Sequence, residues 1–84
     1  MANDNSFKTS DTPLAAFLKT QGFPLISIDY SQTRYQFHFT DSEQLQKAAD
    51  SYLIGKALVD PSDFARIFKK LNRILYKKVQ WEED

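Results

Sequence analysis

The sequence predicts an α+β domain: a small antiparallel β-hairpin or sheet covered on one face by three helices, in the order α-β-β-α-α. Three observations carry that expectation. Two neighbouring stretches, LISIDY and RYQFHFT, alternate apolar and polar residues, the period of a strand with one buried face. Three others repeat apolar residues at spacings of three and four, the period of a helix with one buried side. Proline or an oxygen-bearing capping residue opens the helical stretches, and glycine closes two of them.

Met1 to Ser6 is polar and reads as a mobile lead-in. Phe7-Lys8-Thr9 reads as a short extended piece against the core, so a short N-terminal strand is an optional first element. Thr12 or Asp11 then caps a helix that Pro13 opens, because the first helical position needs no N–H. Leu14, Ala15, Phe17 and Leu18 form its apolar side. Gly22 ends it in the left-handed conformation that a residue without Cβ adopts freely; Phe23 supplies the usual hydrophobic contact and Pro24 stops continuation.

In the first strand, Leu25 to Tyr30, the residues Ile26, Ile28 and Tyr30 alternate with Leu25, Ser27 and Asp29. Ser31-Gln32-Thr33 reads as the turn. In the second strand, Arg34 to Thr40, Tyr35, Phe37 and Phe39 face one way and Arg34, Gln36, His38 and Thr40 the other. Strands so closely joined pair antiparallel, and a lone hairpin is marginal in water, so the aromatic face must lie on helices. Thr40 with Glu43, or Asp41 with Gln44, has capping-box spacing for the second helix. Leu45, Ala48, Ala49, Tyr52 and Leu53 form its buried side, and Gly55 stops it.

After the linker Lys56–Val59 comes the stretch that reads as the organising element, DPSDFARIFKKLNRILYKK from Asp60 to Lys78. Asp60 caps it, Pro61 opens it, and Val59 with Phe64 has the spacing of a hydrophobic staple. Asp63 and Lys77-Lys78 place charge of the right sign at each end of the helix dipole. Phe64, Ile67, Phe68, Leu71, Ile74 and Leu75, with Val79 beyond, form the apolar side. Arg66, Lys69, Lys70, Arg73 and Lys77 fall opposite, within an arc of about 100°. A core-facing helix must present something polar outward, so a solvated face is the plain reading. The sharper reading is an anion-binding face, for phosphate backbone or an acidic protein. Trp81 is expected to pack back on the body, with Glu82 to Asp84 a solvated acidic tail.

At 84 residues the chain is expected to form a single domain, near the size at which one core suffices without staples. Seven Phe, four Tyr and one Trp compensate, and dimerisation would add further burial. Eleven basic residues balance eleven acidic ones, so attraction to nucleic acid or membrane can arise only from a local patch. There is no cysteine, which excludes disulfides, thiolate metal sites and cysteine nucleophiles. No apolar run approaches bilayer-spanning length and no signal peptide is visible, so a soluble cytoplasmic protein with no membrane partner is expected.

No catalytic, metal or cofactor site is expected. His38 is the only histidine; a zinc site needs three or four ligands, and a solvated or locally hydrogen-bonded ring is the plain reading. An enzyme would require His38 beside a pocket acid. The two glycines follow helices and cannot build a phosphate loop, and capping accounts for Asp60 and Asp63. RYQFHF lacks the glycines of an RRM strand, and its aromatics are needed for the core. A helix-turn-helix is disfavoured by the long KALV connection and by Pro61-Ser62-Asp63 at the end that would enter the groove.

From TSDTPLAAFLKTQGF, through the two strands, to VDPSDFARIFKKLNRILYK, the chain resembles small uncharacterised domains encoded in bacterial and phage genomes. These share a Leu-Ala-Ala helix ending in Gly-Phe, a hairpin with an aromatic second strand and a C-terminal basic amphipathic helix. The resemblance spans about residues 7–78. It implies the same order of elements and a bacterial or phage setting, and no activity or catalytic residue. The expected role is therefore a small non-enzymatic interaction or accessory module, binding an unknown protein or a second copy of itself. A nucleic-acid accessory protein, contacting phosphates through the basic helix face without reading bases, is the alternative.

Overall fold

In the computed structural model, residues 6–82 are described, in the order β1 (Ser6–Thr9), α1 (Thr12–Thr20), β2 (Leu25–Asp29), β3 (Gln36–Thr40), α2 (Glu43–Leu53) and α3 (Pro61–Lys77). The expected roles of Met1 to Asn5 and of Glu83 and Asp84 lie outside the described residues. The α+β class is as expected, and the optional first strand is present. β1 includes Ser6, assigned above to the lead-in, and pairs antiparallel with β3, Phe7 opposite Phe39. The sheet order is β1-β3-β2, so the aromatic strand is central. β2 and β3 are shorter than expected, because the Asp29 carboxylate accepts from both the N–H and the hydroxyl of Ser31 and turns the chain early.

Alternation fails in β2. Leu25 lies opposite Phe39 and Ser27 opposite His38, so Ile26 is an extra residue, a β-bulge. The bulge puts Leu25 on the side of Ile28, Phe37 and Phe39, while Ile26, expected inside, is 56% exposed. One inserted residue reverses the facing of everything before it.

Each helix start is a side-chain cap. Asp11 accepts from the Leu14 N–H and Asp60 from the Ser62 N–H. For α2 the cap is Ser42, accepting from the Leu45 N–H, not Thr40 or Asp41. Thr40 is still paired in β3, and the Asp41 carboxylate accepts instead from the Gln46 amide. All three helices stop in the same way. Beyond α1, the Phe23 N–H reaches the Leu18 carbonyl and the Gly22 N–H that of Lys19; Lys56 with Ser51 and Gly55 with Tyr52 repeat the pair beyond α2. Gly22 and Gly55 hold φ of 91° and 79°. Beyond α3, Val79 to Ile74 and Lys78 to Leu75 make the same bonds, but the left-handed residue is Lys78 at φ 57°. That turn takes Val79 off the helix, and it is 47% exposed instead of continuing the apolar side.

The buried side chains form one cluster, and its hub is α1, not α3. Leu14, Ala15, Ala16, Phe17 and Leu18 are consecutive and all buried, which no single-sided helix allows. α1 packs most extensively on α3 and also on α2, where Phe17 and Tyr52 stack with ring centres 5.4 Å apart. Phe37 and Phe39 bring the sheet into the same cluster at 0% exposure, each contributing about 2–3 kcal/mol. α3 buries Ile67, Leu71 and Ile74, with Phe64, Phe68 and Leu75 half-buried beside them. In α2, Leu53 lies at the edge of the apolar arc in the last turn, and it is exposed rather than buried.

Two substitutions at helix ends should have opposite signs. Lys78→Gly relieves an L-residue in the left-handed region and should stabilise by up to about 1 kcal/mol, whereas Gly22→Ala imposes that strain and should cost about 1 kcal/mol. Urea unfolding of both variants measures the pair. A third, Ala16→Leu, should cost about 1–3 kcal/mol or more, because no space remains on either side of α1.

Candidate functional site

The packing of α3 on α1 decides which of its residues meet water. With Ile67, Leu71 and Ile74 inward, Arg66, Lys69, Arg73 and Lys77 are exposed and Lys70 is half-buried at one flank. The expected strip therefore exists, but its members are not equivalent. The Arg66 guanidinium lies 3.6 Å from the Asp63 carboxylate, one turn back. Both are exposed, and such a pair contributes little to stability while occupying part of the charge. Lys70 is engaged by the segment after the helix: its ammonium donates to the Glu82 carbonyl at 2.9 Å and stands 4.1 Å over the Trp81 ring. Lys69, Arg73 and Lys77 make no ion pair among the described residues.

An open groove of about 380 Å³ runs between α3 and that segment, lined by Lys70, Arg73 and Lys77 on the helix and by Val79, Gln80 and Glu82 across from it. Three of the five basic residues singled out above thus share one groove; Arg66 and Lys69 lie off it. Tyr76, 89% exposed, stands on the outward side of the same helix. Lys77 sits in the last turn, where the partial negative charge of the helix end favours a cation.

The far wall of the groove is held by residues that local sequence reading passes over. The Gln80 side chain pairs with the main chain of Ile28, accepting from its N–H at 2.7 Å and donating to its carbonyl at 2.8 Å. It acts as a one-residue strand on the open edge of β2, where unpaired main-chain groups would otherwise invite another chain. The Tyr30 hydroxyl donates to the carbonyls of Val79 and Ile74. Burial raises the Tyr30 pKa above its ordinary value. Trp81 packs back as expected, half-buried, with the Lys19 ammonium also over its ring at 4.7 Å. Contacts spanning about fifty residues leave no trace in local periodicity; Trp81 alone, a large aromatic in a polar run, signals the fold-back.

The opposite face of the sheet carries Lys8, His38 and Ser27 in one row. His38, expected to be solvated or hydrogen-bonded, has its Nε2 atom buried without a partner. Asp29 on the same face is held below the usual carboxylate pKa, chiefly by the two Ser31 hydrogen bonds, with His38 and Lys8 adding attraction. A second cleft, of about 590 Å³, opens between the start of α1 and Arg34-Tyr35. Its hydroxyls are mutually engaged: Thr12 Oγ1 lies 2.8 Å from the Tyr35 hydroxyl, and Ser10 donates to the Tyr35 carbonyl at 2.8 Å. Among the described residues no group of three His, Asp or Glu is placed to hold a metal ion, and no helix is long and apolar enough to cross a membrane.

A family model described as a domain of unknown function, DUF5659, matches residues 4–77. No curated protein and no solved structure matches the chain.

Removing the Gln80 amide should unclasp the groove wall. Gln80→Ala leaves two main-chain groups of Ile28 unpaired, with a cost of about 1–3 kcal/mol and faster amide hydrogen exchange at Ile28. Three shifts bear on the pH dependence; burial, with Asp11 nearby, also raises the Tyr52 pKa and adds a second alkaline contribution, and the other two are tested by substitution. Tyr30 has a raised folded pKa, so its contribution is complete below pH 10 and is lost as pH rises through the folded value; Tyr30→Phe should remove that alkaline loss. Asp29 has a depressed one, so its contribution is present above pH 3.8 and is lost as pH falls through the folded value; Asp29→Asn should flatten the acid limb. Denaturant unfolding at stepped pH checks both.

Proposed function

The chain belongs to the DUF5659 family, a domain of unknown function, and from that premise we propose that it is a small non-enzymatic interaction module that presents the basic face of α3 to an acidic segment of a partner protein. The observation that carries this reading is the groove where Arg73 and Lys77 stand exposed beside the folded-back segment, with Tyr76 alongside. From Lys69 to Lys77 the cationic stretch rises about 12 Å along the helix. That length suits three or four extended peptide residues at about 3.4 Å each. Exposed tyrosine and arginine are the side chains that most often anchor protein contacts. Leu53, Ile54 and Leu58, all exposed at the α2–α3 corner, supply apolar surface on which a partner, or a second copy of the chain, would find burial.

Phosphate backbone is the second reading, favoured by the same cations. Against it, the N-terminal end of α3 carries Asp60 and Asp63, and Arg66 is committed to Asp63. A long polyanion laid along the helix would meet those carboxylates, whereas a short acidic peptide would not.

The test is binding of a fluorescein-labelled glutamate-rich peptide and of a single-stranded oligonucleotide, read by anisotropy at several salt concentrations. Reversing Arg73 and Lys77 to Glu should weaken peptide binding at least about tenfold with unchanged circular dichroism, because neither side chain is in the core. Retention of the peptide by the reversed variant would sink the proposal. Tighter binding of the oligonucleotide, with a steep salt slope, would favour the second reading.

A further inference from the structure

We infer that the chain forms a weak two-fold dimer through the α2–α3 corner, with Leu58 of each copy at the axis and Lys56 of one copy against Asp60 of the other. A second copy is thus the occupant of the apolar corner, whatever the basic groove of α3 binds. Residues 56–60, Lys-Ala-Leu-Val-Asp, belong to no helix or strand, yet their exposure alternates with a period of two. Ala57 and Val59 are half-buried and pack against the core, so Lys56, Leu58 and Asp60 stand in one outward row. Leu58, at its centre, is 90% exposed. At the end of α2, Leu53 and Ile54 are 66% and 68% exposed, and Ile54 is no more than about 14 Å of chain from Leu58.

The row carries a cation at one end and a carboxylate at the other, each two residues from the leucine. Two such rows laid face to face and antiparallel put leucine on leucine and bring each Lys56 to the other copy's Asp60. Laid parallel, they put like charges together. A two-fold contact needs a patch complementary to itself, and this row meets that condition. An acidic partner would meet Asp60 and a basic one Lys56, so the mixed sign suits the chain's own copy best. Lys56 makes no ion pair among the described residues. Asp60 caps α3 through one carboxylate oxygen, so its charge serves the second copy without loss of the cap. A whole aliphatic side chain holds about 100 Å² of apolar surface; Leu53, Ile54 and Leu58 therefore offer roughly 200 Å² per copy. Even with its flanks, such a contact lies at or below the roughly 1,200 Å² at which stable assemblies begin. The dimer is accordingly one of micromolar affinity, in exchange with a folded monomer.

Sedimentation equilibrium of the 84-residue chain at low salt, from micromolar to millimolar concentration, tests this. Monomer should give way to dimer across that range. L58E should weaken association at least about tenfold, as loss of a central apolar anchor does, with unchanged circular dichroism because Leu58 is exposed in the monomer. K56E turns two exposed ion pairs into two repulsions and should weaken the dimer about threefold to tenfold. K56E/D60N should recover most of that loss, since asparagine keeps the cap and removes the repelling charge. R73E/K77E, which tests the groove of α3, should dimerise like the intact chain. A monomer at every concentration, or a dimer indifferent to L58E, would overturn the inference. A K56E loss that D60N does not recover would overturn the antiparallel pairing. Loss of the dimer in R73E/K77E would move the contact to the basic face and overturn the corner as its site.

Discussion

Burial of α1 on every side is the constraint from which the remaining geometry descends. A helix that touches neighbours all round needs a residue pair small enough to let two of them approach, and Ala15 and Ala16, both at 0% exposure, supply it. The aromatic face of the sheet, α2 and α3 each complete their burial against this one short helix. The orientation of α3 is a consequence. Its apolar arc must meet α1, so its cations must face outward, and the candidate site is as much a product of the Leu-Ala-Ala stretch as of the lysines and arginines that form it.

The exit from α3 is the second determinant. At α1 and α2 a glycine takes the left-handed turn; at α3 it is Lys78, which lacks that freedom. Contacts of the next few residues hold the strain in place. The reversed chain runs across the open edge of β2, where Gln80 pairs with Ile28 and the Tyr30 hydroxyl meets two carbonyls from the end of the helix and beyond. One turn thus closes a helix, covers a sheet edge and forms the wall of a groove in which Lys70, Arg73 and Lys77 converge. Stability and site share these contacts, so weakening the wall loosens both.

What could be read from the sequence divides along the range of the interactions. Caps and stops are local, and Asp11, Asp60, Gly22 and Gly55 act where the residues indicate. The α2 cap was legible only to within two residues, since Thr40, Asp41 and Ser42 all have the chemistry and the end of β3 chooses among them. The bulge at Ile26 is invisible, because LISIDY alternates well enough to conceal one extra residue. The rank of α1 was hidden by its shortness: the larger number of bulky apolar side chains and the sharper amphipathic contrast both point to α3, yet centrality depends on having no polar side, which LAAFL states quietly. The basic strip was legible as a strip. That Lys70 belongs to Trp81 and Glu82, and Arg66 to Asp63, depends on where the chain returns and which rotamers ion pairing selects.

A chain with equal numbers of acidic and basic residues can still carry a basic surface, and the dimensions explain how. The molecule measures 32 × 32 × 24 Å, three to four times the screening length of about 8 Å in physiological salt. A ligand at one face therefore senses the charges of that face, and the balancing acids matter only where they lie close. On α3 some do. Asp60 and Asp63 gather at the N-terminal end, where they cap the helix and match its dipole, and Glu82 stands by the groove near the other end. The positive field is consequently narrowed from both ends to the span around Arg73 and Lys77, so recognition there must be short-ranged and local, and net charge is the wrong guide to it.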